Sequence, residues 1–243
     1  MIYLNLMGGL GNQLFQYAAG LTFSECEGKG TLYIYKAHSN SHSKVDYRYL
    51  FKRGIPLDSK TPSYTLQLGA FDPWNPSDYP RPITLNGYFQ NLPSLTSLPL
   101  VIQDLREALG IGPVSTCPSV PRGKTFIHVR RGDYITYSHL YGGVGENYYK
   151  KAMAVFPAGT EFIVLSDDPA WCRSQAWLTG CEIIDEPDEL KALAIMGSCE
   201  GAIIANSTFS WWGAMISAKQ VVYPSKWFSS VKPDLFPKHW ICV

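Results

Sequence analysis

The chain has 243 residues, a formal net charge of +1 and a hydrophobic share of 46%, enough apolar material for one large core or two modest ones. So small a charge excludes a global field for nucleic acid or an anionic membrane, and any anion must be bound by a local cluster. No apolar window approaches a membrane span and no signal-type segment opens the chain. The six cysteines (26, 117, 172, 181, 199, 242) form no C-x-x-C pair, so reduced thiols in a cytoplasmic protein are expected.

In chain order, residues 2–7 are expected as a strand. The turn Gly8-Gly9-Leu10-Gly11 leads into a helix over about 12–23, with Leu14, Phe15, Ala18 and Leu21 on one face and Asn12 able to cap it. Residues 31–35 read as a second strand. Residues 36–82, rich in Ser, Pro, Tyr and Asp, show no period that places an element. A strand over 84–89 and a short helix over 104–109 follow. Residues 110–123, with prolines and glycines and no hydrophobic period, are the expected linker. Two lobes result, 1–112 and 123–243.

The second half is more regular. Strands are expected at 124–130, 161–166, 182–184, 202–205 and 221–223. Helices are expected at 147–156, from Pro169 through Trp177, from Pro187 to about Cys199, and at 208–218. This alternation implies an α/β fold with a parallel sheet covered on both faces. Ligands bind outside the carboxyl ends of such strands, which directs attention to loops 8–12, 131–146, 166–169, 185–188 and 206–210.

The first of these strands ends in His128-Val129-Arg130-Arg131-Gly132-Asp133-Tyr134. His128 and Arg130 project to one side, Val129 and Arg131 to the other. Two guanidinium groups at a strand end can grip a diphosphate, since each offers planar, permanently charged donors. They can equally pair with Asp133 and neighbouring carboxylates as a surface cluster.

Asn206-Ser207-Thr208-Phe209-Ser210 joins a strand to a helix whose N-terminus favours anions. One residue suffices for a cap, so this density of polar groups exceeds capping; Trp211 and Trp212 read as core. Ser166-Asp167-Asp168 could hold a divalent cation, but next to Pro169 at a helix start a capping role is the simpler one. The glycine turn 8–11 is neither G-x-G-x-x-G nor a P-loop.

Together GGLGNQLFQYA (8–18), NGYFQ (86–90), HVRRGDY (128–134), GENYYKKAM (145–153), LSDDPAWC (165–172), the run 189–214 ending NSTFSWWGA and VVYPSKWF (221–228) resemble the α-1,2-fucosyltransferase family. The resemblance implies a GT-B architecture of two Rossmann-like lobes facing a cleft. The lobe at 1–112 would lie on the acceptor side, and the lobe at 123–243 would bind GDP-fucose.

It also implies inverting, metal-independent transfer of L-fucose to a glycan acceptor, with no cofactor. By that similarity Arg130 contacts the β-phosphate, His128 the guanine side, Ser207, Thr208 and Ser210 the phosphates, and Asn12 reaches in from the first lobe. Arg131, Ser166, Asp167, Asn206 and Phe209 complete the expected donor-binding set. Arg130 is the expected leaving-group stabiliser and Asp133 the expected base, or else an ion pair holding Arg131. Two alternatives are a transferase of another linkage or deoxysugar, and a non-catalytic carbohydrate-binding protein whose arginines are structural.

Overall fold

The computed structural model describes residues 1–26, 30–36, 45–58, 63–112, 123–137, 139, 144–228 and 233–243. Most of the expected linker lies outside the described residues. The chain forms two compact units, Met1–Ala108 with Pro233–Pro237, and Leu109–Lys232 with Lys238–Val243.

The first unit is a five-stranded parallel sheet built from β1 (Ile2–Leu6), β2 (Leu32–Lys36), β3 (Ile55–Pro56), β4 (Tyr64–Gln67) and β5 (Ile83–Asn86), in the order β3-β2-β1-β5-β4. Helix α1 (Leu10–Glu25) packs on the face carrying Leu4 and Leu32. The approach is close: a Cβ at Gly20 would lie 2.9 Å from a Leu32 methyl. Helix α2 (Leu98–Ala108) packs on α1 and buries Leu98, Val101 and Leu105.

Several sequence expectations are corrected here. Helix α1 starts at Leu10 with Gly9 at its cap, so Asn12 lies inside the first turn and does not cap it. Helix α2 begins at Leu98, six residues before the expected start, because Pro99 falls in the first turn, where a helix needs no N–H donor. Strand β5 stops at Asn86; beyond it Phe89 adopts φ 53°, a left-handed conformation no strand continues through. Strands β3 and β4 occupy the stretch where no element could be placed.

The second unit is a six-stranded parallel sheet of β6 (Thr125–Val129), β7 (Phe162–Ser166), β8 (Glu182–Ile184), β9 (Gly201–Ile203), β10 (Gln220–Tyr223) and β11 (Ile241–Cys242). Its order is β11-β10-β9-β6-β7-β8. Between the strands run α3 (Gly132–Thr136), α4 (Glu146–Met153), α5 (Pro169–Arg173), α6 (Glu189–Met196) and α7 (Thr208–Ser217).

The expected helix through Trp177 breaks after Arg173, and residues 176–178 form a separate 3-10 turn. Asp188, not Pro187, opens α6, its carboxylate accepting from the N–H groups of Leu190 and Lys191. Ile127, Val129, Val164, Ile203 and Val222 centre the core, and Trp211 and Trp212 are fully buried, as their reading as core requires. No helix among the described residues is long and apolar enough to cross a membrane.

Candidate active site

In the second unit the chain runs from β6 outward through β7 to β8, then returns to place β9 on the other side of β6. The connections leaving β6 and β9 therefore diverge, which opens a crevice at the carboxyl ends of these two central strands. Residues 130–134 leave one strand there and residues 204–208 leave the other. Two contacts span the gap: the Tyr134 hydroxyl donates to the Asn206 carbonyl at 3.1 Å, and the His128 and Phe209 rings lie 5.9 Å apart.

Strand β7 adds its own end beside β6, Val129 pairing with Ser166. Asp167 then ties the turn after β6, accepting the Arg131 N–H at 2.8 Å on one oxygen while the other lies 3.1 Å from an Arg130 Nη. Arg130 also pairs with Asp133 at 2.7 Å and lies over the Tyr134 ring at 5.4 Å. Burial works against the Arg130 charge, but Asp167 and Asp133 outweigh it and lift its pKa above the ordinary arginine value.

The neighbouring arginine is differently placed. The Arg131 guanidinium stacks on the Trp171 indole at 3.7 Å and bonds Asp168 through Nε at 3.1 Å. Asp168 in turn caps α5, accepting the Trp171 N–H at 3.0 Å, and the expected capping role falls to it and not to Asp167. That N–H bond first, then Arg131, holds the Asp168 carboxyl below the usual range. Ser166 accepts the Asp168 N–H at 3.0 Å. The carboxylate expected on Arg131 was Asp133; the structure gives Arg131 to Asp168 and Asp133 to Arg130. Among the described residues no three His, Cys, Asp or Glu side chains converge as a metal-binding group.

On the β9 side, Ser207 takes the cap position of α7 without a side-chain capping bond, while Asn206 donates to the Trp227 carbonyl at 3.1 Å and Ser210 to the Ser207 carbonyl at 3.2 Å. His128 is buried and its Nδ1 has no hydrogen-bond partner among the described residues. Burial, reinforced by the Arg130 charge, pushes its pKa down to about 3, so it is a neutral imidazole with an unspent ring nitrogen.

The second unit thus brings together His128, Arg130, Arg131, Asp133, Ser166, Asp167, Asn206, Ser207, Thr208, Phe209 and Ser210. Asn12 belongs to the first unit, where its amide oxygen accepts from Gln90 at 3.0 Å. Two members of the site had no role assigned from the sequence, Tyr134 and Trp171. Their signal lay in the motifs that contain them, HVRRGDY and LSDDPAWC, but the partner of each is far along the chain.

Two parallel-sheet units with an anion-suited crevice at the second sheet's switch point define a glycosyltransferase of GT-B fold. The fold is shared with the crystal structure of the fucosyltransferase NodZ from Bradyrhizobium, with a TM-score of 0.52, 11% identity, and coverage of 89% of this chain and 92% of that one. The chain belongs to glycosyl transferase family 11, whose family model matches residues 101–242.

Among curated relatives, an Escherichia coli O-antigen biosynthesis glycosyltransferase, WbnK, is 37% identical over 131 residues, 48% of this chain and 43% of that protein. An Escherichia coli alpha-1,2-colitosyltransferase is 24% identical over 100% of this chain and 99% of its own. Human galactoside alpha-(1,2)-fucosyltransferase 1 is 27% identical over 97% of this chain and 73% of its own.

Proposed function

We propose that the chain transfers L-fucose from GDP-β-L-fucose to O2 of a galactoside, inverting the anomeric carbon to leave an α-1,2 linkage. The observation that carries this reading is Arg130 at the switch point of the second sheet, over the Tyr134 ring whose hydroxyl reaches across the crevice to Asn206 before the polar start of α7. Family membership supplies the reaction class, the relatives' names point to the transferred sugar and the linkage, and the GDP donor follows from the motif resemblance.

An inverting transfer is a single displacement: the acceptor oxygen bonds to the fucose anomeric carbon as the bond to the diphosphate oxygen breaks. Negative charge gathers on the departing oxygen, and a guanidinium preorganised against it lowers the barrier by about 2–4 kcal/mol. Arg130 performs this role with no metal ion required: Asp133 and Asp167 each hold one of its terminal nitrogens, and its remaining N–H donors meet the diphosphate.

The acceptor hydroxyl attacks from the face opposite the diphosphate. Asp133 is bonded to the arginine on the leaving-group side, so we assign it to holding Arg130 and not to taking the acceptor proton. Neutral His128, with its free ring nitrogen, serves the nucleotide end of the donor.

A second donor is favoured by one observation, the full-length match to a colitosyltransferase. Colitose is fucose without its 3-hydroxyl, so the two donors differ by one polar group. Titrating the protein with GDP and with ADP in EDTA, then assaying transfer from GDP-fucose and GDP-colitose to lactose, tests both readings. GDP-selective binding with fucose transfer supports the first. Transfer from GDP-colitose alone replaces the donor, and a folded protein that binds neither nucleotide refutes the site.

A further inference from the structure

A parallel sheet covered on both faces is normally apolar on both, its strands reading as continuous hydrophobic runs. The first unit departs from this. Its strands read Ile-Tyr-Leu-Asn-Leu, Leu-Tyr-Ile-Tyr, Tyr-Thr-Leu-Gln and Ile-Thr-Leu-Asn, a strict alternation. One face carries Leu4, Ile34, Leu66 and Leu85 and receives α1. The parallel register stacks Tyr, Thr, Asn and Gln on the other.

Within that face the row nearest the carboxyl ends is made of amides. Gln67 is paired with Asn86 across β4 and β5, and Asn5 on β1 continues the row. The Asn5 amide donates to the Asn86 oxygen at 2.8 Å, and the Asn86 amide donates to the Gln67 oxygen.

Both bonds run the same way, so each polarises the next. The chain of bonds ends on the Gln67 amide nitrogen, on an exposed residue, with both of its hydrogens unspent among the described residues. Tyr88, two residues beyond Asn86, keeps its ring at the surface. The row lies at the carboxyl ends of β1, β5 and β4, the end of the strands at which open α/β sheets bind ligands.

A polarised amide donor, with an exposed aromatic residue two positions along the chain from the row, fits a pyranose, whose hydroxyls both donate and accept and whose C–H face packs on a ring. The row has no cation, so a neutral ligand suits it better than a diphosphate. We propose that Gln67, Asn86, Asn5 and Tyr88 form the acceptor-sugar subsite and that Gln67 donates to a hydroxyl of the acceptor galactoside. The assignment rests on the transferase reading above and names the residues that select its second substrate.

Saturation-transfer NMR and a lactose titration on the full chain test it, with Gln67→Leu as the main variant, since an exposed amide can be replaced without disturbing the core. Loss of this bond weakens lactose binding about tenfold, while the melting temperature and the affinity for GDP stay unchanged. Asn86→Ala, which cuts the row in the middle, weakens lactose in the same sense.

Lactose binding that is equal in wild type and Gln67→Leu, or absent from the wild type at saturating sugar, overturns the subsite. Failure of the transferase reading shows separately, as a wild-type chain that binds no GDP. A row that merely stitches strands together lowers the melting temperature of both variants and leaves lactose affinity alone, which also overturns the proposal.

Discussion

The Arg131 guanidinium lies over the Trp171 indole, 3.7 Å from the ring centroid, while the adjacent Arg130 is held by Asp133 and Asp167 and lies 5.4 Å from the Tyr134 ring. The stack covers the Arg131 guanidinium and Asp168 takes its Nε, whereas Asp133 and Asp167 leave Arg130 with N–H donors to offer an anionic ligand. We propose that the two neighbours divide the work, Arg131 anchoring the turn and Arg130 meeting the ligand.

Arg130→Ala is accordingly expected to abolish measurable GDP binding with little change in melting temperature, and to raise the transfer barrier by about 2–4 kcal/mol. Arg131→Ala is expected to lose the stack, about 0.5–2 kcal/mol of stability, and to retain GDP selectivity. Arg131→Lys restores the charge but not the planar contact, so it recovers the melting temperature only in part. Calorimetry with GDP and a thermal melt of the three variants decide the division.

Gly132 follows the two arginines, and a Cβ there would lie 2.5 Å from an oxygen of Asp167. A free carboxylate would swing aside, but Asp167 is bonded on one side to the Arg131 N–H and on the other to Arg130. Gly132→Ala therefore displaces Arg130 as well. Misplacement on the ångström scale costs about 100-fold in rate, so kcat is expected to fall by that order while the fold persists. Normal turnover in a crystallographically intact Gly132→Ala refutes the role of Asp167 as the strut beneath Arg130.

The strand–helix alternation of the second half was legible because its five main strands are bounded by glycines, prolines and polar turns. The same reading failed at β3 and β11, two residues each, because so short a strand has no period to detect. Asn12 was misplaced as a cap because an Asn beside glycines is the usual cap composition, yet Gly9 already supplies the extended backbone a cap needs.

At the site, the clustering of arginines and polar helix-start residues could be read from strand ends alone. Which arginine is anchored could not, because the answer depends on Asp168 and Trp171, some forty residues further on. The polar face of the first sheet was spelled out in the alternation of IYLNL and LYIYK, but its meaning needed the register that sets Asn5, Asn86 and Gln67 in one row.

Tyr134→Phe isolates the bond that spans the switch point. The ring remains over Arg130, and only the hydroxyl donated to the Asn206 carbonyl at 3.1 Å is lost. A stability loss of about 0.5–1.5 kcal/mol is expected from one such bond. GDP affinity should fall with it, because the loops after β6 and β9 are no longer tied. A variant that loses stability and keeps full GDP affinity shows the bond to be structural only.

His128 makes stability pH-dependent in one direction. Its pKa is depressed to about 3 in the folded chain, chiefly by burial and then by the Arg130 charge, against about 6.5 when unfolded. Above pH 6.5 the imidazole is neutral in both states and contributes no dependence. Below it the unfolded chain takes up a proton that the folded chain refuses, so stability falls as pH drops from 6.5 toward 3, with a slope of up to about 1.4 kcal/mol per unit. His128→Gln keeps a polar side chain without the titration. Urea unfolding of wild type and His128→Gln at pH 7.0, 6.0 and 5.0 should therefore give curves that diverge toward acid, the wild type losing more. Parallel curves over that interval would mean that the folded chain protonates the imidazole as readily as the unfolded one, and its assignment as a buried group that stays neutral in acid would fall with them.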